Sequence, residues 1–209
     1  MSQIDIDNLT LGQPVWRLAT KYPGQGSWTE ADYFEIEGSG GPLVEFDGGI
    51  VEVHDMPTIE HQRILKYVYR ILDDYVESNQ LGEVLFAPLP VKLWGSKYRE
   101  PDIIYLAKGR PVEKHSAEKY PEGADLVVEI VSPGDASRTR DLKTKLIEYA
   151  EAKIDEYWII DPEQQRVLVG QLESQAYKLA EFGPGQRLSS QLLPGIQLDV
   201  TAILDAANR

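Results

Sequence analysis

Leu126-Val127-Val128-Glu129-Ile130-Val131 is a short, nearly continuous β-branched run broken by a single acid. Such a run suits a strand covered on both faces. Ser132-Pro133-Gly134-Asp135 reads as a turn, and a helix is expected from about Ser137 to Ala152. A second buried run, Tyr157-Trp158-Ile159-Ile160, stops at Asp161-Pro162. Residues 126–160 therefore read as strand–helix–strand, which sets the class as α/β.

Working outward, the longest helix is expected from about Pro57 to Asn79. There Ile64, Leu65, Val68, Ile71, Leu72 and Tyr75 recur at helical spacing. Pro57 suits a first turn, and Gly82 lies just past the end. Before it, Leu43–Phe46 and Ile50–Val53 are strand-like runs joined by Asp47-Gly48-Gly49, a hairpin turn. A short helix is expected from Ser27-Trp28-Thr29-Glu30 to about Ile36, followed by a loop at 38–42. After the long helix come strand candidates Glu83–Ala87, Val91–Trp94 and Asp102–Leu106. Pro88 and Pro90 demote that region to an edge, and 107–123 reads as a loop. Val167–Leu172 and Ala176–Phe182 resemble a peripheral hairpin. Leu198-Asp199-Val200 and a short helix, Thr201–Ala207, close the chain. The expected organisation is an irregular N-terminal extension, 1–26, and one domain, 27–209.

Bulk properties bound the function. The chain has 209 residues, 42% hydrophobic, which suits one globular domain. No apolar run is long enough to span a membrane. Met1 to Gln25 is mixed and acidic, unlike a signal peptide. With no cysteine, disulfide and thiolate chemistry are excluded, and the cytoplasm is the default compartment. Lys and Arg number 21 against 34 Asp and Glu, a net charge of −13. That balance argues against a protein that coats nucleic acid non-specifically, but not against a local basic patch.

Three residues stand out chemically. Glu129 lies inside an apolar strand, where an unpaired carboxylate costs several kcal/mol unless a cation, a metal or a hydrogen-bond network meets it. Asp102 opens the apolar run Ile103-Ile104-Tyr105-Leu106. Alone, Glu129 reads equally well as a strand-end acid facing solvent or an arginine, and Asp102, after a proline, reads more readily as a turn residue; together they offer hard oxygen ligands to a divalent cation. Lys145 flanks the inward stripe Leu142, Leu146, Tyr149 and can point toward Glu129. A solvated Asp141–Lys145 pair is the alternative.

The ordered motifs settle the context. Arg99-Glu100-Pro101-Asp102, Asp125-Leu-Val-Val-Glu129-Ile-Val-Ser132-Pro133, Arg140-Asp141-Leu-Lys-Thr-Lys145, Tyr149, and Glu156-Tyr157-Trp158-Ile-Ile-Asp161-Pro162 resemble the Uma-type family of restriction endonucleases. Met56-Pro57-Thr58, His61-Gln62 and Leu193-Pro194-Gly195 match it too. That family belongs to the PD-(D/E)XK nuclease superfamily. The resemblance implies a restriction-endonuclease-like core, a central mixed sheet flanked by helices. It implies Mg²⁺, or Mn²⁺ in its place, on Asp102 and Glu129 with the Ile130 carbonyl, and hydrolysis of DNA phosphodiesters. The superfamily's usual lysine position is Val131 here, and the family's helix-borne lysine maps onto Lys145. Glu60 and His61 are further candidates near a helix start. Arg138, Arg140 and Lys143 would form a local DNA-contacting patch, and a homodimer would suit cutting two strands. The alternatives are a fold kept for binding or assembly, or an enzyme acting on another phosphate ester.

Overall fold

The computed structural model describes residues 22–37, 43–54, 56–110 and 120–209. Most of the proposed N-terminal extension, the 38–42 loop and most of the 107–123 loop lie outside the described residues. The chain opens with helix α1 (Glu30–Glu37). Thr29 and Asp32 cap it reciprocally, each side chain accepting from the other's backbone N–H. Strands β1 (Val44–Asp47) and β2 (Ile50–Val53) pair around Gly48 and Gly49, both at positive φ, as a two-residue hairpin requires. Helix α2 (Ile59–Ser78) follows, with Thr58 Oγ1 accepting from the His61 amide as its cap.

Strands β3 (Gly82–Phe86), β4 (Val91–Trp94), β5 (Lys97–Arg99), β6 (Ile103–Ala107) and β7 (Leu126–Ile130) come next. The following helical rod has three parts: α3 (Asp135–Thr139), a π turn (Arg140–Thr144) and α4 (Lys145–Glu151). Strands β8 (Glu156–Asp161), β9 (Arg166–Glu173), β10 (Ala176–Phe182), β11 (Arg187–Ser189) and β12 (Gln197–Asp199) precede α5 (Val200–Asp205) and a 3₁₀ turn.

The central sheet has six strands in the order β10-β9-β8-β7-β6-β3. It is mixed: β7 and β8 run parallel, joined across the helical rod, and the other pairs are antiparallel. The hairpin expected at the periphery is peripheral only in its outer strand. β10 forms the sheet edge, while β9 lies inside it against β8, with Val167, Leu168 and Val169 buried. β3, beside the prolines, is the opposite edge. A second sheet, β2-β1-β5-β4, stands apart from the first.

Side-chain alternation assigns the faces. Leu126, Val128 and Ile130 pack with Ile64, Val68 and Leu72 of α2 and with Ile203 and Leu204 of α5. Val127 and Val131 face the other way, toward Tyr149, Leu142 and Leu146 of the helical rod. Glu129 shares this second face by parity. In the smaller sheet, Val44, Phe46, Val51 and Tyr98 pack with Tyr33 of α1, which leaves Glu45 on the opposite face. No helix among the described residues is long and apolar enough to cross a membrane.

Candidate active site

Glu129 is 4% exposed on a strand whose residues are all buried. The helical rod meets it. Lys145 Nζ donates to Glu129 Oε1 at 2.8 Å, and the Tyr149 hydroxyl donates to the same oxygen at 2.6 Å. One helical turn separates these two residues, so both reach one point on the strand. Lys145 is itself 3% exposed, and its Nζ also lies 3.1 Å from Glu45 Oε1 and 3.8 Å from Asp141 Oδ1. The solvated Asp141–Lys145 pair does not form; both members are buried. Burial pushes the Glu129 carboxyl up to about 8, against the pull of Lys145 and with the help of Asp102, Asp141 and Glu45. Lys145 is displaced upward: its carboxylate neighbours outweigh its desolvation.

Asp102 precedes β6 rather than lying within it. Its Oδ2 accepts the Ile130 amide at 2.7 Å and faces His61 Nε2 at 3.1 Å. The cause is local. With Ile103 opposite Val128, Ile130 stands opposite Pro101, which has no N–H to give. Pro101 therefore cannot donate to the Ile130 carbonyl, which the His61 ring meets instead, and the Ile130 amide donates to the Asp102 side chain. His61 is buried, and its Nδ1 has no hydrogen bond. Desolvation opposes protonation of the ring, but the hydrogen bond and charge of Asp102 carry its pKa upward.

The sequence reading missed a group on the smaller sheet. Glu45, 1% exposed on β1, faces Lys145, Arg99 Nη1 at 3.5 Å and His54 Nε2 at 3.1 Å. Burial would raise its carboxyl, yet Lys145, His54 and Arg99 together hold it well below the ordinary range. His54 Nδ1 lies 2.8 Å from Arg140 Nη1; a guanidinium only donates, so Nδ1 accepts and Nε2 bears the hydrogen that faces Glu45. Arg99 grips Glu148 of α4 with two hydrogen bonds, 2.7 and 2.8 Å, and Lys97 joins Glu148 at 2.8 Å and Asp47 at 2.9 Å. These ion pairs tie the smaller sheet to the helical rod. Alternation of Val44-Glu45-Phe46 reads as an acid facing water; no feature of the sequence shows that a second layer covers that face.

Glu45, Glu100, Asp102, Glu129 and Asp141 line one cleft of about 250 Å³ with His54, His61, Arg140 and Lys145. The sequence-derived trio Asp102, Glu129 and Lys145 is thus brought together, with Ile130 and His61 beside it. Glu60 is not: it is exposed on the first turn of α2 and does not line the cleft. Nor do Arg138, Arg140 and Lys143 gather as one cationic patch. Arg138 is engaged bidentately by Asp161 at 2.8 and 2.7 Å and by Glu163 at 3.3 Å. Arg140 is held by His54 and Asp141, and of the three only Lys143 stands exposed, with no ion pair among the described residues.

A mixed sheet between helical layers, with a carboxylate-rich cleft where β6, β7 and α2 meet, defines a mixed α/β protein. The Uma2 family, described as "Putative restriction endonuclease", matches residues 30–201, and the chain belongs to it. Among solved structures, the chain is similar to a protein described as a "putative nuclease belonging to DUF820" from Anabaena variabilis. The two share 17% identity with a TM-score of 0.67, over 79% of this chain and 92% of that one. At that identity the likeness bears on the fold alone. No curated protein matches the chain.

Proposed function

We propose that the chain is an Mg²⁺-dependent endonuclease that hydrolyses DNA phosphodiester bonds, with Asp102, Glu129 and the Ile130 carbonyl holding the metal and Lys145 beside it. One observation carries this reading. Each carboxylate is anchored through one oxygen, Asp102 by Oδ2 and Glu129 by Oε1, and among the described residues no hydrogen bond engages Asp102 Oδ1 or Glu129 Oε2. A fixed carboxylate with a free oxygen is what a hard divalent cation requires. The Ile130 carbonyl, which meets the His61 ring, adds a third oxygen, and the excess of acids over cations in the cleft favours a dication. Once bound, Mg²⁺ or Mn²⁺ supplies polarisation of the phosphoryl group and a more acidic water.

The chain's own residues do the rest. Lys145 and Tyr149 fix the Glu129 carboxylate, and Lys145 presents a cation where charge develops on phosphate. His61 and the Ile130 amide orient Asp102. Glu45 and Asp141 set the position of the Lys145 ammonium. The test is cleavage of a fluorogenic DNA duplex with Mg²⁺ or Mn²⁺, beside Glu129→Ala. Metal-dependent cleavage abolished by the substitution is expected. Metal binding without cleavage of any phosphodiester would instead favour use of the fold for binding or assembly.

A further inference from the structure

Among the described residues, one group of cations free of carboxylates lies away from the cleft. Arg63, Lys66 and Arg70 are exposed on α2 and, with Arg209, line a groove of about 540 Å³. None of the four forms an ion pair among the described residues, in contrast to Arg138, Arg140 and Lys145. Asp74 is the one acidic side chain lining the groove. Arg63 Nη1 donates to the Ala207 carbonyl at 3.1 Å, and Arg209 sits over the Tyr67 ring at 5.3 Å, so two of the guanidinium groups are positioned in advance. In a chain of net charge −13, unpaired positive charge concentrated in this way is a local inversion of the field.

We propose that this face of α2 is a docking surface for the phosphate backbone of duplex DNA outside the reaction cleft; the proposal rests on the reading of the cleft as a nuclease site. Positions 63, 66 and 70 fall on one side of the helix and span about 10 Å along it. That length covers roughly three steps of a DNA strand, at ~3.4 Å per phosphate along the axis. At about 100° per residue they point away from His61, which enters the cleft from the same helix. The surface would therefore retain DNA flanking the scissile bond and would not touch the reacting phosphate. Its apolar lining, Tyr67, Ile71 and Ala206, is buried or half-buried. A membrane-binding face would offer exposed apolar side chains to insert.

Fluorescence anisotropy of a labelled 30-base-pair duplex (chosen at about three helical turns), titrated with salt in EDTA, tests the proposal without cleavage. In Lys66→Gln/Arg70→Gln the slope of log affinity against log salt should fall by about 2, at ~0.9 for each phosphate no longer neutralised. Affinity at moderate salt should fall by at least about tenfold. Lys143→Gln should match wild type in both. Arg63 is left intact because it holds the Ala207 carbonyl. An unchanged slope in the double variant overturns the proposal, as does wild type that binds anionic vesicles or an acidic protein through these residues but not duplex DNA. Hydrolysis of bis(4-nitrophenyl) phosphate separates the two readings. If wild type hydrolyses it but the slope does not move, the docking surface fails and the nuclease site stands. If the slope falls but no phosphodiester is hydrolysed, the reverse holds.

Discussion

Lys145 Nζ lies 2.8 Å from Glu129 Oε1, although one residue stands on the helical rod and the other in the middle of the central sheet. The same ammonium lies near Glu45 and Asp141, so its removal would leave Glu129 without a cation and take one of the cations from Glu45, which keeps Arg99, and from Asp141, which keeps Arg140. Sequence periodicity suggests that leucine or methionine at 145 would fold normally; the burial argues otherwise. Lys145→Met should lose metal-dependent cleavage and also destabilise the fold by about 3–5 kcal/mol, the usual range for breaking a buried ion pair. Lys143→Met should lose neither. Denaturant melts beside cleavage assays distinguish the two, and an unaltered midpoint for Lys145→Met would contradict the buried network.

Glu129→Gln keeps the shape of the side chain and removes its ability to ionise on a metal. Isothermal calorimetry with Mg²⁺ or Mn²⁺ should show binding to wild type and at least about tenfold weaker binding to the variant, within the range seen when carboxylate support of a metal is removed. Because the wild-type carboxyl holds a proton up to about 8, metal binding should release protons and tighten as pH rises toward that value. Equal affinities for both proteins would remove Glu129 from the metal site.

Glu100 gives a stability signature in pH. Burial, then the charge of Glu37, its hydrogen bond and the charge of Glu45, push its carboxyl from 4.5 to about 9. Between those values the native state keeps a proton that the unfolded chain has released. Its contribution is therefore complete below about pH 4.5 and is lost as pH climbs through about 9. Glu100→Gln mimics the protonated form, so its advantage in melting temperature over wild type should widen from pH 5 to pH 9. For a chain of this size each kcal/mol corresponds to about 2–4 °C. A constant difference across the range would mean that Glu100 is ionised throughout.

Arg138 should matter for stability and not for DNA. Its guanidinium holds Asp161, a fully buried carboxylate, by two hydrogen bonds. Arg138→Gln should cost about 1.5–3 kcal/mol, the value of hydrogen bonds to a charged group, and leave the salt slope of DNA binding where Lys143→Gln leaves it. A slope that falls by about 1 would return this arginine to the set that neutralises phosphates.

The sequence made the layers legible where periodicity was strong: β7, β8 and α2 fall within a residue or two of their expected limits. It did not show β5 or β11, each three residues long with a single apolar residue between polar or charged ends, too short to show alternation. Asp102, Glu129 and Lys145 could be named because an acid within an apolar run and a lysine beside an apolar stripe are local signals. Glu45, His54 and Arg99 could not, because their importance comes from a second sheet folding over the cleft. The pairing of Arg138 and Lys145 was hidden for the same reason: Asp161 and Glu163 meet Arg138, and Glu45 and Glu129 meet Lys145, all distant in sequence.

The π turn at Arg140–Thr144 lodges one residue more than a regular α-helix would hold in that length. Read as a matter of chain length, it is an insertion that the rod tolerates because both of its halves already have partners: Arg138 on Asp161 before it, and Lys145 and Tyr149 on Glu129 after it. Excising a single residue there would restore even hydrogen bonding and, by intrinsic propensity, a sounder helix. It would also rotate one half against the other by about 100°. A shorter chain with the better helix would then have to give up either Asp161 or Glu129, so indels in this segment should be far less tolerated than substitutions at the exposed Lys143.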